Sequence, residues 1–276
     1  MRPIPHCALA VALSCALAAG TAAAQADATA RVVDPALMNR AADLAYNREV
    51  DRARARNALD TDRAQLGLMR RASTPLIAHA AAVASAASSW VWAIHIETRE
   101  EPIAWCLPGG KIMVSTGLID RMKLTPGELA VVLAHAIAHA LAGHDADEAV
   151  AQYTRRGERD ADPNRAALRL ADILGKLVPN EPHDVAIEKA ADSMALALMA
   201  GAAVDPRPAA EAWRKIARAG GATPPGFLAL HPMWPQRIAE IEAQIAALLP
   251  VYEAALQVQQ AAQQKMTPIP LRPGRR

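Results

Sequence analysis

The feature that most constrains the fold of this chain is the helix start at residues 125–128. Thr125 can cap a helix with its hydroxyl, Pro126 stands at the first helical position, and Glu128 stands at the third. This combination is a capping box with the preferred placement of proline, and the helix is expected to run to about residue 143. The chain is 52% hydrophobic but only 3% aromatic. Small helix-favouring residues dominate it, so we expect a mostly helical protein.

Two histidines on this helix are candidates for binding a metal ion. His135 and His139 are four residues apart, so they share one helix face and can reach a single ion. Ala136 stands where a zinc peptidase carries the glutamate that takes a proton from water. The pair alone is weak support, because partly buried, hydrogen-bonded histidines give the same pattern. His144 is interpreted as a helix-end residue.

Two carboxylates further along the chain could complete such a site. Glu188 and Asp192 are also four residues apart on a predicted helix. One of them could bind zinc while the other accepts the ring N–H of a ligand histidine. The alternative is an ordinary exposed face that includes Lys189. Residues 191–197 are apolar apart from Asp192 and Ser193, so we expect this helix to face the core.

A small antiparallel sheet is expected between residues 90 and 116. Three short runs rich in apolar residues, 90–96, 103–106 and 111–116, surround a turn at Pro108-Gly109-Gly110. His95 lies in the first of these runs. We interpret it as a hydrogen-bonded strand residue rather than a metal ligand.

The remaining chain predicts further helices within one domain. Residues 35–87 form two helices with a break at residues 60–62, and later helices are expected at 148–155, 165–177, 185–199, 209–219, 235–249 and 252–265. The single domain, 25–266, would comprise N-terminal helices (25–88), a core (89–249) and a C-terminal helix (250–266). Residues 267–276 are rich in proline and are expected to be disordered.

Residues 1–24 have the pattern of a secretory signal peptide that is cut near Ala24. This predicts an exported, periplasmic protein; a lipoprotein anchored through Cys15 fits the pattern less well. After cleavage Cys106 is the remaining cysteine, which excludes an intramolecular disulfide. The net charge of +2 gives no indication of nucleic-acid binding.

Four segments occur in an order that one family of zinc peptidases shares. They are residues 105–112 before 116–118, residues 128–130 leading to the two histidines, residues 188–192, and residues 231–232 with 237–238. Together they resemble the zinc peptidases of family forty-eight, which include HtpX, BepA, LoiP and the CAAX prenyl proteases. The resemblance implies an α+β, mostly α-helical, zincin-like fold with a small antiparallel sheet packed beside the active-site helix.

The resemblance also implies roles for individual residues. His135, His139 and Glu188 would bind one zinc ion per chain, and Asp192 would orient a ligand histidine. His231 and Arg237 match catalytic-site residues near the metal, as a possible extra ligand and a group facing the cleft; His231 could equally be a residue that precedes proline at a helix start. An extended polypeptide substrate would pair with the strand and turn formed by Trp105, Cys106, Leu107, Pro108, Gly109 and Gly110.

This chain departs from the family pattern at four positions. Ala136 replaces the catalytic glutamate, and Ile103, Leu230 and Ala195 also differ from the usual residues. Glu128 lies eight residues back, about 12 Å along the helix axis, so an acid within this helix cannot replace the missing base. Loss of general acid and base catalysis costs at least about 10²- to 10⁴-fold in rate.

We therefore expect an exported zinc metalloendopeptidase-like protein of envelope protein quality control, with very weak activity. Ala136 could reflect natural drift or a deliberate change, and the further departures favour drift. The alternative is a non-catalytic pseudopeptidase that holds zinc and binds polypeptides as a chaperone or assembly factor. A third possibility is a helical scaffold without metal. Peripheral association with the outer membrane or its assembly machinery is also expected.

Overall fold

The computed structural model describes residues 33–158, 160–177, 183–219 and 231–266. The signal peptide (1–24) with Cys15, Leu230 and the predicted disordered tail (267–276) lie outside the described residues. Three strands are β1 (Ala93–Glu97), β2 (Ala104–Leu107) and β3 (Lys111–Ser115). The α-helices in the described residues are α1 (Pro35–Ala55), α2 (Arg63–Val83), α3 (Thr116–Met122), α4 (Pro126–Ala142), α5 (His144–Arg155), α6 (Pro163–Leu177), α7 (Val185–Gly201), α8 (Ala209–Ala219) and α9 (Arg237–Met266).

The predicted fold class, mostly helical with one small sheet, is confirmed, but the sheet is mixed. Its strand order is β1-β3-β2. Cys106 of β2 lies opposite Ile112 of β3 in the antiparallel pairing that we expected. Ile94 of β1 also lies opposite Ile112, but these two strands are parallel, so the fully antiparallel prediction is wrong. The reason is that β3 inserts between β1 and β2 instead of adding to the outer edge of β2.

The turn between β2 and β3 is packed against α1. Gly109 and Gly110 both have positive φ angles, +77° and +78°, which favour glycine. A Cβ atom on Gly110 would lie 2.6 Å from the indole of Trp92. Lys111 Nζ donates to Gly109 O at 2.9 Å and lies 2.9 Å from Asp43 Oδ1 of α1. The turn is therefore buried rather than open to solvent.

The sheet separates two hydrophobic clusters, and α4 belongs to the first. Ile112 and Val114 of β3 join the cluster that includes α4, where residues 128–140 are all buried. Leu107 and Met113 join a second cluster with residues of α1, α5 and α6. α4 also packs against α2, α7 and β2. The helix that carries His135 and His139 is therefore enclosed by the core.

Both ends of α4 are defined by local chemistry. The capping box is confirmed: Thr125 Oγ1 accepts from the Glu128 N–H at 3.3 Å, and Glu128 Oε2 accepts from the Thr125 N–H at 2.7 Å. At the other end Gly143 has φ +79°, and α5 begins immediately after it. α4 and α5 meet at an angle of 46°. The expected helix at 148–155 therefore starts earlier, at His144.

The last helix is longer than expected. α9 continues through Pro250, where we predicted two separate helices. Proline removes one backbone N–H bond and usually kinks or breaks a helix, but the residues on both sides keep helical geometry here. Among the described helices, none alone is long and apolar enough to cross a membrane, although the bent pair α4 and α5 would pass together by length and composition.

Candidate metal centre

Four buried side chains from three parts of the chain converge on one point. His135 and His139 come from α4, Glu188 comes from the first turn of α7, and His231 lies just before α9. Each of these residues is at most 6% exposed. One ligand atom from each lies within 4.8 Å of those of the other three, which makes the group able to hold one metal ion.

Four of the separations between these atoms, 3.0–3.3 Å, are close to those of a tetrahedral zinc site. His135 Nε2 lies 3.0 Å from His139 Nε2 and 3.2 Å from His231 Nδ1. Glu188 Oε1 lies 3.0 Å from His231 Nδ1 and 3.3 Å from His139 Nε2. Zinc bound tetrahedrally at about 2.0–2.1 Å from each ligand atom would place those atoms roughly 3.3–3.4 Å apart. Three imidazoles and one carboxylate are also a donor set that zinc prefers.

A second layer of charged groups surrounds the ligands. Asp192 Oδ1 lies 3.0 Å from His135 Nδ1, on the side of the ring away from the other ligands. Arg237 binds Asp192 with two N–H groups, both at 2.9 Å, and donates from Nη2 to Glu188 Oε2 at 3.0 Å. Glu188 therefore directs Oε1 toward His139 and His231, while Oε2 is held by Arg237 and lies 3.4 Å from His135 Nε2.

Arg237 is enclosed rather than facing a cleft. It is 0% exposed, and its guanidinium lies 3.5 Å from the ring centroid of Trp213 and 4.8 Å from that of Trp234. Aromatic faces attract a cation, and guanidinium is suited to such stacking. The position of Arg237 thus differs from the cleft-facing one that the family resemblance implied.

Electrostatic effects act differently on the three histidines of the cluster. Burial lowers the pKa of His139 to about 2 and that of His231 to about 4, against opposing hydrogen bonds with Glu188. Burial also lowers the pKa of His135, but Glu188 and Asp192 outweigh it and raise that pKa above its ordinary value. Burial alone would raise the pKa of Glu188, yet the charge on His135 and hydrogen bonds from the three histidines hold it well below its usual range.

The position next to His135 carries a methyl group. Ala136 is buried in α4 and has no group that can accept or donate a side-chain proton. The two carboxylates at the centre cannot move freely to replace it, since Glu188 and Asp192 are each held by a histidine and by Arg237. Among the described residues, the position next to His135 therefore lacks the carboxylate that a zinc peptidase uses as its base.

The segment predicted to bind substrate packs against α4 and is largely covered. β2 packs against α4, so it is close to the helix that carries the two histidines. Trp105 is half-buried and packs edge-on against Tyr46, with ring centroids 5.8 Å apart. The other five residues, Cys106 to Gly110 in the printed sequence, are buried. Burial also raises the pKa of the Cys106 thiol.

Three residues near the centre were not identified as site residues from the sequence. His144 Nδ1 lies 3.0 Å from His139 Nδ1, and the ring of His183 stacks on that of His139 at 4.5 Å. Trp213 packs edge-on against His135 at 4.9 Å. The glycine before His144 was the available signal, because it marks a helix break next to a histidine. His95, by contrast, is bonded to Asp60 at 2.7 Å in β1, as expected.

Comparison with known proteins agrees with this geometry. Residues 70–162 match the sequence model of peptidase family M48. The mitochondrial metalloendopeptidase OMA1 of Schizosaccharomyces pombe is 33% identical over 164 residues, which cover 57% of this chain and 48% of that protein. The Arabidopsis thaliana protein of the same name is 30% identical over 188 residues, which cover 67% of this chain and 37% of that protein. The Saccharomyces cerevisiae protein of the same name is 27% identical over 180 residues, which cover 59% of this chain and 49% of that protein.

These relatives correct one prediction. All three are named as mitochondrial proteins, so the periplasmic location that we predicted is wrong. An apolar N-terminal segment ending in small residues was not enough to assign the compartment. The chain also spans less than half the length of each of these three relatives.

Proposed function

We propose that this chain, which carries a zinc metallopeptidase domain of family M48, is a metalloendopeptidase-like protein that holds one zinc ion and hydrolyses peptide bonds very weakly. The observation that supports this proposal is the convergence of His135, His139, Glu188 and His231 next to a buried Ala136. The relatives are named metalloendopeptidases, but this chain spans less than half the length of each. Peptidase activity of this chain is therefore part of the proposal.

The chain's own residues would hold and orient the metal. His135, His139 and His231 offer nitrogen atoms, and Glu188 offers Oε1 while Arg237 holds its other oxygen. Zinc in such a site polarises a carbonyl oxygen and acidifies water. Asp192 fixes the ring of His135 from the far side, as carboxylates commonly do for zinc-bound histidines.

Proton transfer is the step that Ala136 would impair. In a zinc peptidase the residue after the first histidine accepts a proton and passes it to the leaving amine. Ala136 cannot do either. We expect a rate at least about 10²- to 10⁴-fold below that of the same site with glutamate.

A non-catalytic role is the second candidate, and one observation favours it. His231 Nδ1 is 3.2 Å from His135 Nε2, close enough to be a fourth protein ligand. Structural zinc sites have four protein ligands, whereas catalytic sites keep one position for water or substrate. In this case the protein would bind extended polypeptides beside β2 without cleaving them, as a chaperone or assembly factor does.

The test compares the wild-type chain with Ala136→Glu and Ala136→Gln. Zinc content is measured after purification without added metal, and cleavage of casein is measured with and without a chelator. We expect about one zinc per chain in all three proteins and chelator-sensitive cleavage that rises at least 10²-fold in Ala136→Glu alone. Glutamine matches the size of glutamate without its proton chemistry, so it controls for shape.

Either of two results would contradict the proposal. Efficient zinc-dependent cleavage by the wild-type chain would show that Ala136 does not limit the reaction. Absence of zinc from all three proteins would show that the cluster is an ordinary buried network, in favour of the metal-free scaffold. Binding of fluorescently labelled unfolded casein without cleavage, even in Ala136→Glu, would favour the non-catalytic role.

Other expectations stay predictions. They are the pairing of a substrate strand with Trp105 to Gly110 in the printed sequence, the role in envelope protein quality control, and the peripheral association with an outer membrane. The division of residues 25–266 into three parts of one domain is also still a prediction.

A further inference from the structure

The imidazole of His139 has two nitrogen atoms with different neighbours. Nε2 faces the metal centre, 3.0 Å from His135 Nε2 and 3.3 Å from Glu188 Oε1. Nδ1 faces the opposite way, 3.0 Å from Nδ1 of His144. The two rings are nearly perpendicular, at 74°, with centroids 5.0 Å apart. His139 therefore has a side-chain partner directly behind the nitrogen that faces the metal centre.

This contact depends on the bend at Gly143. In an uninterrupted helix, residue i+5 lies roughly 140° around the axis from residue i and points away from it. Gly143 instead adopts φ +79°, which ends α4, and α5 starts with His144 at an angle of 46° to α4. The bend returns His144 to the side of His139. A left-handed glycine is thus the local cause of the histidine pair.

The position of each proton follows from the metal site. A histidine binds a metal through an unprotonated nitrogen, so Nε2 of His139 must carry no proton when the metal is bound. The proton of the neutral ring then sits on Nδ1 and can be donated. For a hydrogen bond at 3.0 Å, Nδ1 of His144 must be the acceptor, and His144 must carry its own proton on Nε2.

We propose that His144 is a positioning residue for the metal, which accepts the Nδ1–H of His139 and so fixes the tautomer and the ring orientation of that ligand. Asp192 stands in the corresponding place behind His135, 3.0 Å from its Nδ1. The two ligand histidines of α4 thus have different neighbours at Nδ1, a carboxylate oxygen at 3.0 Å for His135 and an imidazole nitrogen at 3.0 Å for His139.

The use of a neutral partner fits the charges already buried around the site. Glu188 and Asp192 are both carboxylates, and Arg237 is the cation that contacts both. A carboxylate in place of His144 would add a further negative charge beside Asp145, which already lies 3.6 Å from His183 Nε2, and an unpaired buried charge is costly. An imidazole accepts the same hydrogen bond without adding charge. His183, stacked on His139 at 4.5 Å with an interplanar angle of 21°, further limits rotation of the ring.

The inference rests on the metal site of the proposed function but not on catalysis. It is tested with His144→Leu and His144→Asn, by competition for zinc against a chelator of known affinity. Asparagine places an acceptor oxygen close to where Nδ1 lies, whereas leucine fills similar space without one. Loss of a second-layer partner typically costs about 10- to 100-fold in metal affinity. We expect that loss in His144→Leu and recovery of most of it in His144→Asn.

The control is His95→Leu, which removes a histidine that is bonded to Asp60 in β1, outside the metal cluster. It should leave zinc affinity unchanged. The visible spectrum of the cobalt-substituted protein supplies a second readout, because it should change in His144→Leu and return in His144→Asn. Unchanged affinity in His144→Leu, or equal losses in both His144 variants, would overturn the proposal. A wild-type chain that bound no metal would overturn the proposed function as well.

If a His144 variant does not fold, a measurement on the unmodified protein still tests the proposal. Nitrogen-detected NMR of the histidine side chains in the zinc-loaded chain should show the His139 proton on Nδ1 and the His144 proton on Nε2. A proton on Nδ1 of His144 would contradict the proposal without any substitution.

Discussion

At the scale of single residues, Arg237 carries a positive charge deep in the interior. It contacts Glu188 and Asp192 and lies against the ring of Trp213. Breaking a buried ion pair from one side leaves an uncompensated charge and typically costs about 3–5 kcal/mol. We expect Arg237→Met to lower the free energy of unfolding of the metal-free protein by that amount, measured by urea denaturation.

The matched control is Arg214→Met. Arg214 pairs with Glu242 at 2.5 Å, but both side chains are substantially exposed. Exposed ion pairs contribute about 0–1 kcal/mol, so this variant should be nearly as stable as the wild type. Equal losses of unfolding free energy in the two variants would mean that burial does not determine how much Arg237 contributes to stability.

Sequence reasoning located the residues that lie within a few positions of each other along one helix. His135 with His139 and Glu188 with Asp192 each share a helix face, as their spacing predicted, and contacts of His135 with both carboxylates join the two pairs. His231 came from the family resemblance, because its meeting with the histidines of α4 joins segments far apart in the chain. His183 and Trp213 were missed for the same physical reason, since spacing carries no information on contacts between distant elements.

At the scale of the elements, the capping box makes the stability of the start of α4 depend on pH. Burial alone would raise the pKa of Glu128, but hydrogen bonds from Lys215 and Thr125 lower it. A carboxyl with a lowered pKa in the folded state stabilises the fold above its unfolded pKa, about 4.3, and this contribution is lost as pH falls through the folded pKa. We expect Glu128→Gln to be less stable than the wild type at pH 7, with the difference shrinking as pH falls below about 4.3.

Thr125→Ala tests whether this pH dependence belongs to the carboxyl. It removes the hydroxyl that caps α4, which costs about 1 kcal/mol, and it removes no titrating group. Most of its deficit in unfolding free energy should persist at low pH, because the bonds that Glu128 accepts from the Thr125 N–H and from Lys215 remain. A Glu128→Gln deficit that is the same at pH 7 and pH 3.5 would contradict the assigned role of Glu128.

Helix positions were more predictable than strand direction. α4 and α2 follow from caps and breaks that lie within a few residues, such as Thr125 and the turn at 60–62. The parallel pairing of β1 with β3 depends on where β3 inserts, which no local pattern specifies. The passage of α9 through Pro250 was missed because proline usually interrupts a helix.

At the scale of the whole molecule, the metal would join three parts of the chain that are distant in sequence. The ligands come from α4, α7 and the segment before α9, and α7 packs against α9. A ligand that binds only the folded state stabilises it by about 4.1 kcal/mol at a concentration 1,000 times its Kd. We therefore expect removal of zinc by a chelator to lower the unfolding temperature, and added zinc to restore it.

His135→Ala is the control for this effect, because it removes a ligand at the centre of the cluster. Its unfolding temperature should be insensitive to both chelator and zinc. A wild-type protein whose unfolding temperature ignored the chelator would show that the four residues stabilise the fold through their own hydrogen bonds.

The bend at Gly143 also limits how the length of this chain can vary in evolution. One residue inserted between His139 and His144 would turn everything after it by roughly 100° and separate the two rings. Exposed loops usually tolerate insertions well, because a longer loop adds little closure entropy. Homologues that keep both histidines should therefore differ in loop length elsewhere while the four-residue interval between them stays constant.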